Sequence, residues 1–126
     1  MDATDAPGRP ALTTLLKRSD FLAAARAPRQ ARDGFILQAR ERRQDEKAEG
    51  IRVGYTCSKK VGNAVKRNRA KRRLREIARL ELPEHGRDGW DYVLIGRRDA
   101  TAALDFDRLR GDLVSAVAAL HKRRRS

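Results

Sequence analysis

Aromatic residues are scarce in this chain: one Trp, two Tyr and three Phe, 5% of 126 residues. So few large rings make a modest core, which at this length fits one domain and not two. Cysteine is nearly absent, and Cys57 has no second cysteine with which to close an intrachain disulfide. It reads as a small buried residue on a strand, consistent with a reducing compartment. Long apolar runs are missing: stretches such as 35–37 and 92–95 fall far short of the roughly 20 residues a membrane helix requires. The opening MDATDAPGRP is acidic and carries Pro and Gly where a secretory signal has a basic start and an apolar centre. Residues 1–12 therefore read as a disordered lead-in of a cytoplasmic protein. His85 and His121 stand apart from Cys57 and from each other, so metal-ligand spacing is lacking. No GxxxxGK[ST] loop is present, which argues against an ATPase. The acids are scattered over helix ends and loops, and neither His is placed as an acid or base. A protein-only nuclease lacks its residues.

Positive charge, by contrast, is abundant and concentrated. Thirty Lys and Arg stand against seventeen Asp and Glu, a formal net charge of +13. Between positions 59 and 79, ten basic residues (Lys59, Lys60, Lys66, Arg67, Arg69, Lys71, Arg72, Arg73, Arg75, Arg79) face one acid, Glu76, for a net +9. The run Lys122, Arg123, Arg124, Arg125 carries the other +4, and the rest of the chain sums to zero. Charge serving solubility would be spread out. One stripe on a neutral body is a device for binding a polyanion, with nucleic acid the leading partner. The terminal run has no apolar stripe of its own and reads as a flexible basic tail, residues 122–126.

Periodicity places the stripe on a helix. Gly62 and Asn63 open it, Pro83 and Gly86 limit it to about Leu80, and Ala70, Leu74, Ile77 and Ala78 form an apolar line opposite Asn68, Arg72, Arg75 and Arg79. Upstream, Ser19 stands in N-cap position before a short helix with Phe21, Ala24 and Ala25 at helical spacing, which Pro28 ends. Residues 34–40 alternate as a strand, Phe35 and Leu37 to one side and Ile36, Gln38 and Arg40 to the other. The polar stretch 41–50 closes on Gly50. Residues 51–58 then alternate again, with Ile51, Val53, Tyr55 and Cys57 opposed to Arg52, Gly54, Thr56 and Ser58, so a hairpin is expected. WDYVLIG, residues 90–96, is apolar on both sides and predicts a well-covered strand. His85 falls in a loop. A further loop over 97–103 leads to a last helix capped by Asp105 or Asp107, with Phe106, Leu109, Leu113, Val117 and Leu120 on one stripe. His121 lies near its C-terminal end, a favourable place for a cation. The sum is one α+β domain over residues 13–121, a single sheet packed with helices.

The run Gly54-Tyr55-Thr56-Cys57-Ser58-Lys59-Lys60-Val61-Gly62-Asn63-Ala64-Val65-Lys66-Arg67-Asn68-Arg69-Ala70-Lys71-Arg72-Arg73-Leu74-Arg75 closely resembles the signature of the bacterial ribonuclease P protein subunit. Its centre is Arg67-Asn68-Arg69, and the Asp20-Phe21 helix and the Phe35 and Asp91-Tyr92 strands fit as flanks. The resemblance implies a cytoplasmic accessory subunit of an endoribonuclease, bound one-to-one to a catalytic RNA that removes the 5′ leader of precursor transfer RNA. Hydrolysis belongs to the RNA and its Mg²⁺, with no metal held by the protein alone and neither membrane nor DNA as partner. The implied order is α-β-β-β-α-β-α with a left-handed β-α-β crossover, against the right-handed rule. Lys59, Lys60, Asn63, Lys66, Arg69, Arg72, Arg73, Arg75 and Arg79 are then expected on the catalytic RNA. Phe21, Ile36, Gln38, Arg52, Thr56, Ser58, Arg67, Asn68 and Lys71 are expected around a leader cleft. Phe21 is either a stacking platform or a core residue. Where the family often has further cleft aromatics this chain has Ala25 and Gln38, which implies weaker stacking. The alternative, another basic ribosome- or nucleoid-associated RNA-binding protein, shares the charge but not the signature.

Overall fold

The structure, a computed structural model, describes residues 12–43, 49–57 and 63–125. Its elements are β1 (Leu12–Thr14), α1 (Arg18–Ala25), β2 (Arg29–Ala31), β3 (Phe35–Glu41), β4 (Ile51–Thr56), α2 (Ala64–His85), β5 (Trp90–Gly96), α3 (Ala100–Ala103) and α4 (Phe106–Arg125). The expected α+β class and element order hold, with β1 and α3 added. Both additions are short pieces held by tertiary bonds. β1, which takes Leu12 out of the expected lead-in, pairs with β4, and α3 is pinned by Thr101, whose hydroxyl donates to the Gly34 carbonyl at 2.6 Å.

One five-stranded sheet runs β1-β4-β5-β3-β2. β4 lies parallel to β1 and β5, and β3 lies antiparallel to β5 and β2. The expected β3–β4 hairpin does not form, because β5 enters between them. Two properties of β5 demand that central place. It is apolar on both faces, sending Tyr92 and Leu94 into the larger core and Val93 into the smaller. It also carries Asp91, which stands in register with Arg40 of β3 on one side and Arg52 of β4 on the other.

The larger core lies between the sheet and the α2/α4 pair and includes Phe35, Leu37, Ile51, Val53, Leu74, Ile77, Tyr92, Leu94, Leu109 and Leu113. The apolar lines expected on α2 and α4 are buried there: Ala70, Leu74, Ile77 and Ala78 on one helix, Leu109, Leu113, Val117 and Leu120 on the other. On the opposite sheet face α1 covers a small cluster of Leu15, Ala24 and Val93, with Phe21 and Ile95 at its edge.

Several boundaries move. α1 starts before Ser19, with Lys17 as an N-cap that makes no side-chain bond; Leu15, tied by its amide to the Val53 carbonyl at 2.8 Å, fixes where the chain turns. α2 passes through Pro83 to His85, so His85 is helical. A proline in the last turn removes one bond, to the carbonyl four residues back, while burial of Leu82 and Pro83 extends the packing stripe and Gly86 N–H closes the end on Leu82 O at 2.7 Å. β4 ends at Thr56, and Cys57, just past it, is half-buried. Burial pushes its thiol up, against the opposing pull of Lys71 and Arg67. Asp105, not Asp107, caps α4, its carboxylate accepting from Arg108 N–H at 3.3 Å. α4 also continues through Arg125, so residues 122–125 of the expected tail are helical. His121 is no exposed cation there. It is buried, its Nε2 lies 2.7 Å from the Tyr92 hydroxyl, and burial first, then the Arg87 charge, pushes its pKa down to about 4. It is neutral at physiological pH.

Candidate nucleic-acid interface

α2 positions the site. Asn63 caps it as expected, its side-chain oxygen accepting from Lys66 N–H at 3.0 Å, and the buried stripe fixes the helix's rotation so that its cations divide among three directions. Arg67 and Lys71 lean, half-buried, toward the end of β4, where both act on Cys57. Asn68, Arg69, Arg72, Arg75 and Arg79 are exposed along the outer face. Arg75 lies 5.6 Å from the centroid of the Tyr55 ring. Burial is the main reason that Tyr55's pKa is pushed up to about 12, so the ring meets Arg75 as a neutral phenol. Val65, Asn68, Lys71, Arg72 and Arg75 line one shallow groove, and Arg69, Arg72, Arg73, Arg75, Glu76 and Phe106 line a second.

Two of the expected RNA contacts are engaged on the far side of the helix. Lys66 Nζ stands 3.6 Å from Asp99. Arg73 turns toward the α3–α4 junction, where it donates to the Leu104 carbonyl and lies 5.8 Å from the centroid of Phe106. Arg79 pairs with Glu76. Among the described residues no carboxylate lies within ion-pair distance of Arg67, Arg69, Lys71 or Arg72. Lys59, Lys60 and Ser58 fall outside the described residues.

The sheet face beneath α1 is ordered in rows by strand register. Ile36, Ile95 and Thr56 form one, half-buried at the end of β4 next to Cys57, the residue on which Lys71 and Arg67 act. Gln38, Val93 and Gly54 form the next, with Gln38 only 5% exposed and Phe21 lying half-buried over Gly54. Arg40, Asp91 and Arg52 form the third. Thus Phe21, Ile36 and Thr56 share this face, Arg67 and Lys71 reach the end of β4 at Cys57, which packs toward the larger core, and Arg52 stands apart, about 13 Å along β4 from Thr56. Arg52 is committed there: its Nε and Nη2 donate to Asp91 at 2.7 Å each, and its Nη1 meets Asp20 at 3.4 Å.

Asp91 is fully buried and is also bonded by Arg42 at 2.7 Å and Arg40 at 3.3 Å. Neither this cluster nor the Tyr55 and Phe106 contacts were foreseen. The alternation that put Arg40 and Arg52 on one face was the available signal, but pairing them through Asp91 requires the sheet order.

One metal-capable trio occurs among the described residues, Glu81, Glu84 and His85, whose ligand atoms lie within 4.8 Å of one another at the C-terminal turn of α2. It does not fit Mg²⁺, which takes oxygen ligands in an octahedron; one donor is an imidazole, and Glu81 already accepts from Arg110 at 2.9 Å.

Both the sequence and the fold of this chain are similar to those of known proteins. The Ribonuclease P family model matches residues 10–121. The ribonuclease P protein component of Ruegeria pomeroyi is 64% identical over 110 residues, covering 87% of this chain and 87% of the relative. That of Caulobacter vibrioides is 47% identical over 116 residues, 92% of this chain and 76% of the relative. Among solved structures, the Staphylococcus aureus RNase P protein superposes with a TM-score of 0.67 at 24% identity, covering 84% of this chain and 93% of that one. The RNase P protein from Thermotoga maritima gives 0.63 at 26%, over 78% and 87%. With a family model matching most of its length and relatives this similar, the chain belongs to the ribonuclease P protein family.

Proposed function

We propose that this chain, as the protein component of bacterial ribonuclease P, works by binding and not by chemistry of its own. It grips the catalytic RNA with the outer face of α2 and guides the single-stranded 5′ leader of precursor transfer RNA along the sheet face between α1 and the N-terminal half of α2. The observation that carries this reading is the set of guanidinium and ammonium groups on α2 that have no acidic partner among the described residues, two of which, on Arg67 and Lys71, reach the end of β4 where the half-buried row Ile36, Ile95 and Thr56 lies. Such a surface offers phosphates charge and hydrogen-bond donors, and the sheet offers an extended strand somewhere to lie. Phe21 at its edge has a ring on which a base can stack. Arg69, Arg72 and Arg75 are assigned to the catalytic RNA, and Arg67, Asn68 and Lys71 to the leader side.

Bond cleavage is assigned to the RNA subunit, with Mg²⁺ held mainly by that RNA in the cytoplasm. Mg²⁺ bound to RNA supplies Lewis-acid activation of water and phosphate; this chain's residues neutralise phosphates and orient the substrate. Reconstitution tests the division. Precursor should be cleaved by RNA plus protein and not by protein alone, and the protein should lower the substrate concentration needed. Cleavage by the purified protein without RNA would overturn the reading. Arg67→Ala and Lys71→Ala should weaken binding of leader-bearing precursor more than that of mature transfer RNA, and equal losses would move both residues to the catalytic-RNA side.

A further inference from the structure

Helix α1 has little of its own to hold it. It is eight residues long, well below the roughly 12–15 at which an isolated helix is even marginal, and Ala24 is its one buried residue. Two features of β4 fix its seat. Gly54 lies under Phe21: a Cβ there would stand 2.5 and 2.6 Å from the Phe21 ring atoms Cε1 and Cζ and 3.3 Å from Leu15 Cβ. Leu15 cannot retreat, because its amide is bonded to the Val53 carbonyl at 2.8 Å, so the ring fills a slot that only glycine leaves open. Two residues back, Arg52 reaches Asp20 of α1 at 3.4 Å while its other nitrogens hold the buried Asp91. Asp91 orients the guanidinium, and the guanidinium receives the acid of the helix's first turn.

We propose that Gly54 and the Asp20–Arg52–Asp91 chain are positioning residues for the leader cleft. Together they set the height and rotation of α1 on the sheet, and with it the place of Phe21 relative to the Ile36–Ile95–Thr56 row and to Arg67 and Lys71. The inference rests on the leader reading above. Gly54 acts only through Phe21. An alanine at 54 forces the ring outward, and the helix with it, which widens the groove that a leader nucleotide must fill.

The test uses Gly54→Ala protein reconstituted with the catalytic RNA, on precursors carrying either a leader of several nucleotides or a single-nucleotide leader. With the longer leader KM should rise about tenfold at unchanged kcat, the size of one lost stacking contact; with the single nucleotide, variant and wild type should match. Adding Phe21→Leu, which removes the colliding ring atoms, should restore the thermal stability lost in Gly54→Ala. Should Gly54→Ala fail to fold, Asp20→Asn leaves the slot intact and removes only the acid of α1; it should raise KM about two- to threefold with the same leader dependence, as expected for one long, partly exposed pair, and Asp20→Glu should recover it. A folded variant with wild-type KM on the longer leader, or with equal losses on both substrates, overturns the proposal. Wild-type protein that cannot tell the two substrates apart overturns the leader reading itself, and this inference with it.

Discussion

Arginine is used in two opposite ways within this small domain. Around Asp91, Arg40, Arg42 and Arg52 converge on one carboxylate that is completely buried, and the Arg42 side chain is itself only 1% exposed. On α2, Arg69 and Arg72 project from an exposed face with no acidic partner among the described residues. The first group is spent on the fold, since three elements of the sheet meet there and a buried charge demands compensation. The second costs the isolated protein self-repulsion that only a polyanion relieves. Charge count alone cannot separate them. Burial and pairing do.

The comparison breaks most visibly at Asp91. Asp91→Ala removes the buried carboxylate that three guanidinium groups share, and breaking a buried pair in this way costs about 3–5 kcal/mol. Chemical denaturation should show the midpoint falling accordingly. A loss below about 1 kcal/mol would mean that the arginines are organised by something other than Asp91.

The paired variant Arg72→Ala/Arg75→Ala sharpens the other side. Among the described residues neither arginine holds an acid, and Arg75 contributes only its contact with Tyr55, so stability should fall by no more than about 1 kcal/mol. Binding to the catalytic RNA should lose about two phosphate contacts, lowering the log–log salt slope by about 1.4 to 1.8. An unchanged slope would remove this face from the interface, and an unfolded variant would show that the helix is rotated differently.

The two groups also differ in how far sequence reveals them. The α2 face was legible because a 3.6-residue period is a local property: Ala70, Leu74, Ile77 and Ala78 announce the buried line, and Arg72 and Arg75 follow on the other side. The Asp91 cluster was not, because its members are 39 to 51 positions apart for the Arg52 and Arg40 contacts and meet only through the strand order. Nearness along the chain favoured a β3–β4 hairpin; the two-sided apolarity of residues 92–95 already argued for a covered strand, and inserting β5 satisfies both that and Asp91. Pro83 misled for a related reason. A local helix-stop signal yields when the turn around it is buried. His121 read as a cation from its place near a helix end, whereas its packing against Trp90 and Tyr92 depends on residues some 30 positions away.

The smallest effect is expected where the two uses of arginine meet, at Glu76, the one acid between positions 59 and 79. Its carboxylate pairs with Arg79 across one helical turn, both side chains being about half exposed. The hydrogen bond from Arg79 holds the Glu76 carboxyl below its ordinary range, so the pair's contribution is present above that range and is lost only as pH falls through the lowered value. An exposed pair at this spacing is worth about 0.2–0.5 kcal/mol, and Glu76→Gln should change stability by no more than that. Its effect on RNA should run opposite to that of the Arg72/Arg75 variant. The substitution takes a negative charge out of the groove shared with Arg69, Arg72 and Arg75 and from beside Arg79. Affinity for the catalytic RNA should tighten by roughly two- to fivefold at low salt, with the salt slope steeper by up to one contact, about 0.7 to 0.9. If affinity and slope both stay at wild-type values, Arg79 lies beyond the RNA footprint, and the interface ends one turn earlier on α2, at Arg75.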